Sequence, residues 1–167
     1  MASTRVKTTT VKSGRCVAGT SIAELGPVLF VLFVMILFPL IDLMAIGVTY
    51  SSGCVLNSLQ VREAALLTAS IVQDPTGPVK QRIPDNWVTS GLGRFASLES
   101  SPLTTISYRD GVADANGIMD RFVVVTTALK VRPFLAIPFF PGVPGLGATV
   151  AFTITSERVV ENPAQFN

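Results

Sequence analysis

The chain has 167 residues, 49% of them hydrophobic and only 14% charged, with no histidine and a formal net charge of +2. The lack of histidine excludes Ser-His-Asp and Cys-His catalytic arrangements and the HExxH zinc helix. Basic residues in the C-terminal part are scattered and offset by acids, so no basic face for nucleic acid is apparent.

Residues 1–19 are polar, carry Arg5, Lys7, Lys12 and Arg15 and hold no acid, a composition that builds no core of its own. An apolar run follows in which Asp42 is the only charge between Leu25 and Val48. At 1.5 Å per residue this run of roughly 24 residues crosses a hydrocarbon layer of about 30 Å. The chain is therefore expected to be a single-span membrane protein or its precursor. Thr20 or Ser21 is the expected N-cap, and Pro27 is expected near the first turn, where its missing N–H does no harm. Pro39 lies within the run and should kink or loosen the helix. The basic leader and the absence of Lys or Arg between Val48 and Arg62 place the N-terminus in the cytoplasm and the C-terminal domain across the membrane. Cys16 and Cys54 then stand on opposite sides and cannot pair.

A helical pattern resumes from about Val55 to Gln73. Val55, Leu56, Leu59, Leu66, Leu67 and Ile71 are read as its apolar side, and Asn57, Gln60, Arg62 and Glu63 as its polar side. Prolines at 75, 78 and 84 stop it. Beyond them, Thr104 to Asp110, Arg121 to Val131 and Ala148 to Val160 are rich in β-branched residues and bounded by turn signals, as strands are. The expected fold class is α+β: an N-terminal transmembrane helix, extended into an amphipathic helix, packs on a small antiparallel β-sheet domain. Its parts are a leader (1–19), a membrane and emergent helix (20–73) and a β-rich domain (74–167).

No catalytic group stands out. "GVPGLG" lacks the lysine of a phosphate loop and precedes a strand, and Asp110, Asp114 and Asp120 read as turn formers lacking calcium-loop spacing. The expectation is a protein that is not an enzyme, with no cofactor and no metal.

The stretch "RCVAGTSIAELGPVLF" places Gly19 five residues before Glu24 at the door of the apolar run. Further on come "FPLIDL" with Ile41 and Asp42, "REAAL" (Arg62 to Leu66), and a close in "ERVVENP" (Glu157 to Pro163). Together these resemble the TadE-like minor pilins and pseudopilins of the tight-adherence (Flp, type IV) pilus system. The resemblance implies cleavage by a prepilin peptidase between Gly19 and Thr20. It also implies a register role for Glu24, which would meet a neighbour's new amine. The implied partners are other pilins, inner-membrane assembly proteins and membrane lipid. The implied location is the bacterial inner membrane, with the C-terminal domain in the periplasm or the subunit carried into a pilus. Asp42 has two readings, an end marker at the outer interface or a contact with a neighbouring pilin or membrane partner. A different class of function is a permanently anchored envelope module that recognises protein or polysaccharide through loop 138–147. Phe139 and Phe140 would then be its contacts, unless both are core residues beneath the loop.

Overall fold

The structure, a computed structural model, describes residues 20–113, 119–135 and 140–161. One long apolar helical rod carries a small domain on its C-terminal half. The rod comprises α1 (Thr20–Leu32), a π-helical stretch (Phe33–Leu37) and α2 (Phe38–Leu66). The π stretch ends just before Pro39, and the Phe38 N–H bonds back to the Phe33 carbonyl, five residues earlier. A proline ring clashes with the carbonyl four residues before it, and a widened turn there relieves the clash. The loosening expected of Pro39 takes this form. Pro27 stands inside α1 and not in its first turn.

Three strands form an antiparallel sheet in the order β1-β2-β3: β1 (Leu103–Ala113), β2 (Met119–Val131) and β3 (Val150–Val159). Along β2, Val123, Val125, Thr127, Leu129 and Val131 turn inward on alternate positions and are buried. Period-two burial of this kind is what one covered sheet face requires. The cover is α2, which offers small residues where the sheet comes closest. A Cβ added at Gly53 would lie 2.5 Å from Leu129 Cδ1 and 3.0 Å from Ile154 Cδ1, and Ala64 and Ala65 are fully buried.

The core has two apolar clusters. Val61, Ala64, Ala65, Val72, Val79, Val123 and Val125 form one, and Leu56, Trp87, Ala96, Leu129 and Ile154 the other. Each fully buried valine or leucine contributes about 1.5–3 kcal/mol relative to exposure. Between the clusters lies a polar seam. Asn57 Nδ2 donates to the Val125 carbonyl (3.0 Å), Thr127 Oγ1 (3.0 Å) and the Ile154 carbonyl (3.2 Å). Gln60 Nε2 donates to the Val79 carbonyl (2.8 Å) and Thr104 Oγ1 (2.7 Å), while Gln60 Oε1 accepts from Thr127 Oγ1 (2.7 Å).

That seam corrects the expected sidedness of the emergent helix. Asn57 and Gln60, read as part of its polar side, are fully buried, whereas Val55, Leu59, Leu66 and Ile71 are exposed. Leu56 is buried and Leu67 packs on the core edge, as expected. The sheet docks where backbone approach is closest, so small residues decide the buried face, and the two amides follow because the inner face of the sheet, its central strand β2 above all, offers them partners.

A second difference concerns residues 78–95. A π-helical turn (Pro78–Arg82), α4 (Ile83–Thr89) and α5 (Gly91–Phe95) occupy the stretch after the short α3 (Ala69–Gln73). The helix ends at Gln73, ahead of Pro75, as expected, but Pro78 and Pro84 do not keep the chain after it from being helical. Pro78 opens the π-helical turn, where no amide donor is needed, and Pro84 follows directly on that turn, whose Ile83 N–H bonds to the Pro78 carbonyl five residues earlier, the widening also seen before Pro39. The return to the sheet is pinned by Glu99 N–H to the Lys130 carbonyl (2.9 Å) and Arg132 N–H to the Ser97 carbonyl (2.8 Å). The outer sheet face is solvated and carries the exposed ion pair Arg109–Glu157 (2.9 Å), while Arg121–Asp110 (2.6 Å) shares the inward alternation of Val123 but is exposed at the far end of the sheet. Such pairs are worth at most about 1 kcal/mol each.

Candidate functional site: the clad end of the apolar helix

From Leu25 to Leu66 the rod is a single helix long and apolar enough to cross a membrane, and its most apolar part is barely covered by the rest of the chain. Between Leu25 and Leu40, Leu25, Val28, Phe30, Val31, Met35 and Ile36 are all more than half exposed. A water-facing helix would not carry such a surface on every side, whereas lipid accepts it.

The change from bare to covered comes at Asp42. Its side chain is fully buried, and Oδ1 accepts the backbone N–H of Leu135 at 2.8 Å. Oδ2 is buried too and has no hydrogen-bond partner among the described residues. A carboxylate at the border of an apolar surface is tolerated when donors or protein cover it, and here a loop of the same chain does so. Neither reading of Asp42 made from the sequence anticipated this contact. The polar residues just above follow the same rule. Thr49 Oγ1 donates to the Ala45 carbonyl and Ser52 Oγ to the Thr49 carbonyl, both at 2.9 Å, so each hydroxyl is satisfied by its own helix.

Two loops collar the helix at this height. The loop before β3 turns on two glycines of positive φ, Gly142 at +79° and Gly145 at +85°. A Cβ on Gly145 would lie 2.5 Å from Ile46 Cδ1, so loop and helix touch there. On another side Phe95 and Phe134 stack with ring centroids 6.3 Å apart, beside Ala45, Ile46 and Thr49. Higher up, Tyr50 meets Phe152 edge-on at 5.6 Å.

Above the collar a groove of ≈ 610 Å³ runs between α2 and α4. Val55, Leu59, Leu66, Ile83 and Leu92 give it an apolar lining, and Arg62, Glu63 and Asn86 give it polar edges. Glu63 is 3.7 Å from Arg82. The sequence reading missed this groove because it turned Val55, Leu59 and Leu66 inward. The legible signal was the set Ser52, Gly53, Ala64 and Ala65, which marks the opposite face as the close-packed one.

The remaining sequence-derived sites are distributed as follows. Thr20 is the first residue of α1. Gly19, the Glu24 side chain and Phe139 lie outside the described residues, as does Asp114. Phe140 is half-buried, and Cys54 is half-buried against the Leu56–Trp87 cluster. Among the described residues no three of His, Cys, Asp and Glu are grouped to hold a metal ion. Asp74 has its carboxyl held below the usual value, first by the Thr76 backbone N–H (2.9 Å) and then by the Thr76 hydroxyl (2.8 Å), with Lys80 adding a smaller push. This is a turn-forming bond in an exposed loop. No family model, curated protein or solved structure matches the chain.

Proposed function

We propose that this protein is a minor pilin or pseudopilin that takes part in assembling a tight-adherence (Flp-type) pilus or a related secretion apparatus. The observation that carries the reading is the division of one continuous helix at Asp42. Below it the helix is bare and apolar, with Glu24 near its start and Gly19 preceding it in the sequence, and above it the helix is clad by a small domain on one face only. A subunit of this shape suits a bundle in which neighbouring helices pack side by side. The uncovered stripe of Val55, Leu59 and Leu66 supports the reading, because it prolongs the apolar surface of the span beyond the bilayer.

In this reading Thr20 carries the new amine after prepilin-peptidase cleavage, and Glu24 of one copy neutralises the amine of its neighbour. A lone carboxylate beside lipid is costly, and a facing ammonium offsets that cost while fixing the axial register. The partners are other pilins and inner-membrane assembly proteins, in the bacterial inner membrane with the small domain outside the cytoplasm. The test is Glu24→Gln in cells that make the apparatus, followed by co-purification with the other pilins and a count of assembled fibres. Loss of both is expected. Unchanged assembly would overturn the reading.

A further inference from the structure

We propose that the collar formed by Phe95, Phe134 and the loop around Val143 is a membrane-docking surface, seated in the headgroup layer of the bilayer that the helix spans. The inference rests on the helix being a membrane span and does not need the pilin reading.

Depth is the first argument. If hydrocarbon begins at Leu25, about 20 residues at 1.5 Å each bring its far edge close to Met44. The collar touches the helix at that same height. Leu135 binds Asp42, Phe95 and Phe134 lie beside Ala45 to Thr49, and Gly145 presses on Ile46. Since the domain is fixed to the helix at these points, its lower rim cannot stand clear of the membrane surface.

Composition is the second argument. Phe95 is 48% exposed, Phe134 56% and Val143 41%, and these exposed apolar groups lie on the segments that meet the helix lowest. The neighbouring Arg94 and Arg132 are exposed as well, and so can reach phosphate while the rings face acyl chain. Phenylalanine rings that enter the acyl boundary beside cations that stay at phosphate level are the chemistry of a surface lying in a membrane interface. The far end of the sheet also exposes apolar groups, Val112 and Met119, but there they stand among Asp110, Asp120 and Arg121 and at the opposite end of the strands from the points where the domain meets the helix lowest. The span that ends here supplies the occupant, the outer leaflet of its own bilayer.

Burial of Asp42 gains a reason from this arrangement. An aspartate at the edge of hydrocarbon would face lipid if the collar stood higher, and the loop that donates the Leu135 amide is the one that brings Phe134 down to the surface.

The test uses the full chain with Cys16 and Cys54 replaced by alanine, reconstituted at one copy per nanodisc of phosphatidylethanolamine and phosphatidylglycerol. Spin labels are attached in turn at Leu32→Cys, Phe134→Cys and Val112→Cys, and collision with oxygen and with a water-soluble nickel chelate is measured. Leu32 lies in the bare span, and Val112 is 93% exposed at the far end of the sheet. The expected result is a label at 134 intermediate between those at 32 and 112, with nickel collisions several-fold below those at 112. A label at 134 as open to nickel as that at 112 would overturn the proposal while leaving the span intact. A label at 32 that is itself open to nickel would overturn both. Protection at 134 that appears only in discs loaded with several copies would assign the surface to a second chain, and the proposal would fall.

Discussion

Replacing Gln60 by methionine tests the polar seam that joins helix to sheet. The side chain is fully buried and makes three hydrogen bonds of 2.7–2.8 Å, to the Val79 carbonyl, Thr104 Oγ1 and Thr127 Oγ1. Methionine keeps the unbranched shape and removes all three. Each such bond is worth about 0.5–1.5 kcal/mol net, and a buried group left without a partner costs about 1–3 kcal/mol. Methionine's greater apolarity returns part of this, so a destabilisation of about 2–4 kcal/mol is expected, a large share of a typical 5–15 kcal/mol total. The assay is urea unfolding of the full chain in detergent, read by Trp87, the sole tryptophan, which is only 6% exposed. Thr127→Val, alone and combined with Gln60→Met, completes a double-mutant cycle. A coupling of about 1–2 kcal/mol is expected, because Thr127 donates to Gln60 and removing both partners strands fewer groups than the two single changes do added together. A Gln60→Met variant within about 0.5 kcal/mol of the parent, or strictly additive effects, would refute the reasoning.

Other outcomes follow from single contacts. Asp42→Leu removes the acceptor of the Leu135 amide and should speed that amide's hydrogen exchange about tenfold or more, whereas Asp42→Asn keeps an acceptor and should leave protection nearly unchanged. Gly145→Ala must adopt φ +85 and push on Ile46, so it should loosen the loop by about 1–2 kcal/mol, seen as faster exchange at Gly145 and Ala148. For Asp74, whose folded pKa is depressed, NMR titration should find a midpoint below 3.8. The turn's stabilisation is then complete above the unfolded value and fades as pH falls through the folded one. Thr76→Val should raise the midpoint only in part, because the stronger backbone N–H bond survives.

Much of the fold could be read from local pattern. The three β-branched runs became β1, β2 and β3 within a few residues of their expected ends, and Pro39 marked the one irregularity in the rod. The packing of helix on antiparallel sheet was legible too; what failed were the individual side-chain contacts set by distant partners. Nothing near Asn57 tells that its amide reaches residues 68, 70 and 97 positions away, and Asp42 finds its donor 93 positions on. A polar residue on an emergent helix is ordinarily solvated, so Asn57 and Gln60 were assigned to water and the exposed leucines to the core. Prolines misled for a related reason, since one that ends a helix and one that begins the next look alike until the flanking chain is seen. At the site itself, Asp42 was legible as an oddity among apolar neighbours, while the collar that covers it comes from a Pro- and Gly-rich segment with no regular pattern.

The most direct test of the functional account is the intact mass of the protein extracted from membranes of cells with an active prepilin peptidase. The account predicts a chain that begins at Thr20, and full-length precursor when Gly19 is replaced by a bulky residue. A chain that still begins at Met1 in the presence of the active peptidase would contradict it.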